Sequence, residues 1–94
     1  MSAEQKSTLP TEESIAAIWS EVLGEVEVLP DSDFFGLGGN SLKMMNMIFR
    51  VGEIFNVDLD PGALFDNSSL RQFTLVVVAM VQESQTEETL RQTL

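Results

Sequence analysis

The chain of 94 residues contains no cysteine and no histidine. The first absence removes disulfides, thiolate metal sites, a thiol nucleophile and any thioester on the protein's own sulfur, and the second removes the usual general base. Basic residues are also few, five Lys+Arg against fifteen Asp+Glu, for a formal charge of −10. Scattered as they are, those five cannot build the phosphate-neutralising patch that nucleic acid requires, so basic partner surfaces are the natural counterpart. The opening Met1 to Thr8 is polar and unlike a signal peptide, and no apolar stretch approaches the roughly 18 to 20 residues that cross a bilayer. A cytoplasmic monomer with no membrane contact is therefore expected. Asn67-Ser68-Ser69 matches a glycosylation sequon, but without a secretory signal it reads as a turn followed by a helix cap. The short length allows one domain with one modest core, which excludes an enzyme needing two domains, and 44% hydrophobic residues are too many for a disordered acidic chain.

What is present is mostly helical. Ile15, Ile18, Trp19, Val22 and Leu23 follow the i, i+3, i+4, i+7, i+8 spacing of an amphipathic helix, with Thr11 as its N-cap, Glu12 and Glu13 in the first turn and Gly24 to close it. From Glu25 to Asn40 the period is lost, and Pro30, Gly36, Gly38 and Gly39 mark a long loop. The loop also holds Val26, Val28, Leu29, Phe34, Phe35 and Leu37, so it is expected to pack across the helices. A second helix spans Ser41 to about Asn56, and a short helical turn is possible around Ala63 to Phe65. Ser69-Leu70-Arg71-Gln72 has the form of a capping box, ahead of a last helix whose Leu70, Phe73, Val77, Met80 and Val81 share one face. Val76-Val77-Val78 also admits a strand, but the cap, the length and the lack of a partner strand favour helix. The expectation is an all-α domain of three longer helices and one short one, with the polar Ser84 to Leu94 as a frayed extension or tail.

The second helix has more apolar residues than one buried face uses. Met44, Met47, Ile48, Val51, Ile54 and Phe55 form one stripe, whereas Leu42, Met45 and Phe49 fall roughly 100° to 160° from its centre. An exposed apolar strip marks a binding surface, and the flexible thioether of methionine suits one. The alternative is that Leu42, Met45 and Phe49 pack under the long loop or the short helix. Ser41, at or near the N-cap, lies beside this second stripe, where glycines permit close approach and the helix N-terminus favours an anion such as a phosphate. The plainer alternative is a glycine-rich turn with an ordinary serine cap.

Several motifs fail on inspection. Asp31-x-Asp33 with Gly36 starts like an EF-hand loop, but its fifth position is Phe35 and its twelfth is Leu42 where a bidentate Glu is needed, so no metal is expected. Gly36-x-Gly38-x-x-Ser41 is neither a complete dinucleotide fingerprint nor a phosphate-binding Walker loop. Gly39-Asn40-Ser41-Leu42-Lys43 lacks the last glycine of a nucleophile elbow, and no histidine exists to activate the serine. Ser41 is expected to accept a group, and no residue is expected to be catalytic.

The segment Asp33-Phe34-Phe35-Gly36-Leu37-Gly38-Gly39-Asn40-Ser41-Leu42 resembles the D-x-F-F-x-L-G-G-x-S-L signature of peptidyl carrier (thiolation) domains of nonribosomal peptide synthetases. The similarity extends through Phe55-x-Val57-x-Leu59, Leu64-Phe65 and Ser69-Leu70, covering about Thr11 to Val81. Asn40 departs from the His or Asp usual in the family, which changes the hydrogen bonds offered beside the serine. The resemblance implies a small four-helix bundle, with Ser41 modified by a phosphopantetheinyl transferase using coenzyme A and Mg²⁺. The arm's thiol would then carry an aminoacyl, peptidyl or other acyl group as a thioester, which explains how a chain without Cys or His takes part in acyl chemistry. Expected partners are that transferase, an adenylation or other loading enzyme, and condensation, thioesterase or tailoring enzymes. Leu42, Met45 and Phe49, with Leu37, Gly39 and Asn40 on the loop side, are the expected partner-facing residues. The domain is expected at 11–83, between a polar lead-in at 1–10 and a polar tail at 84–94. An acyl carrier of a polyketide or fatty-acid system is the alternative within the class, and an unmodified helical adaptor is the alternative outside it.

Overall fold

The computed structural model describes residues 9–93, with side chains described through Ser84. Four helices follow in order: α1 (Glu12–Leu23), α2 (Ser41–Phe55), α3 (Gly62–Asp66) and α4 (Leu70–Thr93). Extended pairing among the described residues is limited to one antiparallel bridge between Asp33 and Ser69. No helix is long and apolar enough to cross a membrane among those residues.

The helix ends follow local chemistry. Thr11 caps α1 in a full capping box with Ser14, and Gly24 ends it at φ +98, a left-handed conformation that costs glycine least. Asn56 ends α2 at φ +58, and asparagine is among the few side chains that tolerate this region. Ser69 accepts the Gln72 N–H at 3.2 Å and donates its own hydroxyl to Gln72 Oε1 at 3.2 Å. The serine cap of α4 is thus as expected, but the glutamine side chain meets the cap hydroxyl instead of its backbone N–H. Val76 to Val78 lie within α4, and the helix continues to Thr93, so the polar C-terminal segment extends it in backbone conformation.

Trp19 of α1 sits at the centre of the core, edge-on to Phe34 at 5.1 Å between ring centroids and tilted against Phe73 of α4 at 6.0 Å. Such contacts add to the area these rings bury. Ile15, Met47, Val51, Leu64 and Val77 are fully buried around them. The core stripe of α2 is Met44, Met47, Ile48 and Val51, with Phe55 half-buried against it. Ile54, expected in that stripe, is 61% exposed. It lies at the margin of the stripe in the last turn of α2. Thr74 is buried among the α4 apolar residues, a position its type did not signal.

The loop between α1 and α2 is packed, as its composition suggested. Phe34 is fully buried, and Val26, Val28, Phe35 and Leu37 pack partly buried against the core, whereas Leu29 stays exposed. Three backbone hydrogen bonds tie the loop to the start of α4: Phe34 N–H to Ser68 O at 2.9 Å, Leu70 N–H to Ser32 O at 3.0 Å and Arg71 N–H to Pro30 O at 2.9 Å. The Arg71 guanidinium adds Asp31 at 2.7 Å. On the other side Phe35 stacks on Phe65 of α3 with centroids 5.2 Å apart. The backbone groups of an irregular segment need partners, and here α3 and α4 hold the loop that delivers the chain to α2.

Candidate functional site

The approach to α2 is a wound turn anchored at Asp33. Its Oδ2 accepts the Gly36 N–H at 2.8 Å, its backbone oxygen accepts the Leu37 N–H at 3.0 Å, and its Oδ1 accepts the Ser68 hydroxyl. The Ser68 bond is the largest influence holding the Asp33 carboxyl below the ordinary carboxylate range. Partial burial opposes it, and the N–H groups of Gly36 and Phe35 reinforce it. The aspartate that imitated a calcium ligand is therefore a latch between loop and α4.

The two glycines that follow have different reasons. Gly38 has φ +102, which side chains rarely adopt, and its N–H bonds to Phe35 O at 3.1 Å. Gly39 is needed for space: a Cβ there would stand 2.4 Å from the Phe34 ring and 2.7 Å from the Phe34 backbone oxygen. Phe34 cannot retreat, because it is fully buried against Trp19. The core thus sets where α2 begins.

The first residue past the turn is Asn40, in extended conformation, whose Oδ1 accepts the Lys43 N–H at 2.9 Å. Asn40 is the N-cap of α2, and Ser41, expected at or near that position, is the first helical residue. The reason is that the asparagine oxygen reaches the free first-turn N–H one residue earlier. The Ser41 side chain is exposed and makes no hydrogen bond to any described residue. No acidic residue lies in the first turn of α2, and from Ser41 to Gly52 the helix carries only Lys43 and Arg50 as charges. A phosphate on Ser41 would meet free first-turn N–H groups and the positive helix end with no carboxylate in that turn, so the residues present fit a phosphopantetheine attached there.

Beside Ser41 the exposed strip is real: Leu42 is 80%, Met45 49% and Phe49 63% exposed. Met45, Phe49 and Gly52 of α2 line an open groove of about 440 Å³ together with Val57, Leu59 and Pro61 of the segment that follows it. Of the loop residues expected to join this surface, Asn40 is exposed, whereas Leu37 and Gly39 are half-buried and both serve loop packing. Arg50 bridges to Glu21 of α1 at 2.5 Å. Sequence reasoning missed the Asp33–Ser68 latch, which spans 35 residues and has no local signal, and the capping role of Asn40, for which the Asx spacing to Lys43 was the signal available.

The family model described as "Phosphopantetheine attachment site" matches residues 13–77. The chain is 44% identical over 69 residues to phosphinothricin tripeptide synthetase PhsB of Streptomyces viridochromogenes, covering 73% of this chain and 6% of that protein. Its length is thus a small fraction of this curated relative's. Among solved structures, BlmI, a type-II acyl-carrier-protein from Streptomyces verticillus involved in bleomycin biosynthesis, superposes with a TM-score of 0.69 at 38% identity, covering 72% of this chain and 82% of that one. A peptidyl carrier protein solved in complex with the phosphopantetheine transferase Sfp and coenzyme A gives 0.70 at 29% identity, covering 77% and 97%. A matched segment that contains the buried core from Ile15 to Val77, the Gly-Gly turn and Ser41 makes the chain a member of the phosphopantetheine attachment site family, a carrier domain of the peptidyl (thiolation) type.

Proposed function

We propose that Ser41 is the attachment residue and that the domain carries aminoacyl, peptidyl or related acyl groups for biosynthetic enzymes of the nonribosomal peptide kind. The observation that carries this reading is the exposed hydroxyl of Ser41, without a hydrogen bond to any described residue and held at the first position of α2 beside an exposed apolar strip. In the modification step Ser41 Oγ bonds to the β-phosphorus of coenzyme A. The bond from that phosphorus to the bridging pyrophosphate oxygen breaks, and adenosine 3′,5′-bisphosphate leaves with the electron pair. The serine proton passes to a base on the transferase, since this chain has no histidine or cysteine to take it. The attached arm supplies the thiol that holds cargo as a thioester.

The chain's own residues orient and present. The turn from Asp33 to Gly39 fixes the origin of the arm, the first turn of α2 accommodates the phosphodiester charge, and Leu42, Met45 and Phe49 offer partners an apolar contact. The proposed partners are a phosphopantetheinyl transferase and an adenylation or other loading enzyme, followed by condensation, thioesterase or tailoring enzymes that perform the chemistry. Support for the transferase comes from the likeness to a carrier solved with Sfp.

Coexpression with a broad-specificity transferase, followed by intact mass measurement, tests the reading. One phosphopantetheine per chain is expected, and an unmodified helical adaptor would gain none. Incubation of the modified protein with aminoacyl-adenylating and acyl-transferring enzymes then separates a peptidyl carrier from a polyketide or fatty-acid one by which of them loads it.

A further inference from the structure

A serine at the mouth of a helix has two competing uses. Its hydroxyl can cap, accepting a first-turn N–H, or it can stay free to react. The other hydroxyls at helix starts in this domain are engaged: Thr11 Oγ1 accepts the Ser14 N–H at 3.0 Å, and Ser69 Oγ is bonded to Gln72 twice. Ser41 escapes that fate because Asn40 occupies the cap, with Oδ1 on the Lys43 N–H at 2.9 Å and its backbone oxygen on the Met44 N–H at 2.8 Å.

We infer that Asn40 is a positioning residue for the modification of Ser41: by capping α2 one residue early, it keeps the serine hydroxyl off the backbone and presented to the transferase. The inference rests on the proposal that Ser41 is the attachment residue. Without the asparagine oxygen, the Lys43 N–H loses its acceptor and the first turn is free to retreat by one residue. Ser41 then becomes the cap, its Oγ accepts the Met44 N–H, and the reactive hydroxyl becomes a structural one. A transferase that binds the presented form meets only the fraction of molecules still in it, and its apparent rate falls by that fraction.

Capping and direct recognition of the amide make opposite demands on substitutions. Aspartate retains the acceptor oxygen at the same distance from the backbone and caps as well as asparagine, whereas glutamine retains the amide but is one methylene too long to cap. The thermal effect of a lost cap is matched by Thr11→Ala, which removes the cap of α1, far along the sequence from Ser41.

The test measures initial rates of phosphopantetheine addition by intact mass, with a broad-specificity transferase and coenzyme A, on wild type, Asn40→Ala, Asn40→Gln, Asn40→Asp and Thr11→Ala. Expected are rates about ten-fold lower for the Ala and Gln variants, a rate within about two-fold of wild type for Asn40→Asp, and a wild-type rate for Thr11→Ala despite a lowered thermal midpoint. Faster amide exchange at Lys43 in Asn40→Ala and Asn40→Gln should accompany the slow rates. A wild-type rate for Asn40→Ala, an Asn40→Asp variant as slow as Asn40→Ala, or an equal slowing by Thr11→Ala would each overturn the inference. If wild type itself gains no adduct, the Ser41 assignment fails and the inference falls with it. If wild type is modified and the variants do not follow this order, only the inference fails.

Discussion

Two helices of this domain carry a serine in the first turn and use it in opposite ways. At α1, Ser14 is bound into the capping box: its N–H donates to Thr11 Oγ1 at 3.0 Å, and its Oγ meets the Thr11 N–H at 2.9 Å and the Thr11 carbonyl at 3.0 Å. At α2, Ser41 makes no side-chain hydrogen bond to a described residue, because Asn40 caps in its place. The charges differ in the same sense. Glu12 and Glu13 answer the positive end of α1, whereas the first turn of α2 holds no acid and leaves that end open. One start is built to hold a helix, and the other is built to hold a helix while leaving a hydroxyl for chemistry.

The comparison is broken most completely by replacing the two serines. Ser41→Ala removes no hydrogen bond to a described residue and should abolish phosphopantetheine addition while leaving the helical circular dichroism unchanged. Ser14→Ala removes the two made by its hydroxyl and should cost about 1 kcal/mol of stability, read by chemical denaturation, while modification proceeds at the wild-type rate.

Gly39→Ala tests how far the start of α2 depends on the core. The added Cβ meets the Phe34 ring at 2.4 Å and its backbone oxygen at 2.7 Å, and overpacking of this kind costs about 1 to 3 kcal/mol. At roughly 4 to 8 °C per kcal/mol for a domain of this size, calorimetry should show the midpoint falling by about 10 °C. Modification of the folded fraction should slow as well, which no substitution at the start of α1 should do.

The strip of α2 is tested by Phe49→Ser against Phe55→Ala. Phe49 is 63% exposed and Phe55 half-buried against the core, so Phe49→Ser should cost less than about 1 kcal/mol and Phe55→Ala about 2 kcal/mol. Loading by an adenylating enzyme, measured on the modified protein, should fall more in Phe49→Ser. Equal thermal losses with normal loading of Phe49→Ser would return that residue to the core and shrink the strip to Leu42 and Met45.

The smallest effect belongs to the Asp33 latch. Its carboxyl is held below the ordinary value of 3.8, chiefly by the Ser68 hydroxyl. A group with a lowered folded pKa contributes stability that is present above the unfolded pKa and lost as pH falls through the folded one. The stability gap between wild type and Ser68→Ala should therefore hold steady above the ordinary value of 3.8 and narrow on acidification below it, as followed by urea denaturation. A gap that widens on acidification would contradict the latch.

Much of this was legible in the residues. The apolar spacing of α1, the two stripes of α2 and the Ser69 cap all rest on local periodicity and local hydrogen bonding, and each appears in the structure. What was not legible depended on distance along the chain. Nothing local in Asp33 points to Ser68, 35 residues away, and nothing local in Gly39 says that its hydrogen is needed by Phe34 instead of by its own φ. The shift of the cap from Ser41 to Asn40 was local and still ambiguous, because both side chains are favoured caps and only the path of the loop decides between them. Ile54 was misplaced because it falls at the margin of the stripe, where the wheel cannot say whether a neighbouring element covers the position.

The most direct test of the central claim is to locate the adduct. After incubation with transferase and coenzyme A, proteolysis and tandem mass spectrometry should place a single phosphopantetheine on Ser41, with none on Ser14, Ser68 or Ser69. An adduct on any other serine, or none on a folded chain under conditions that modify a control carrier, would contradict it.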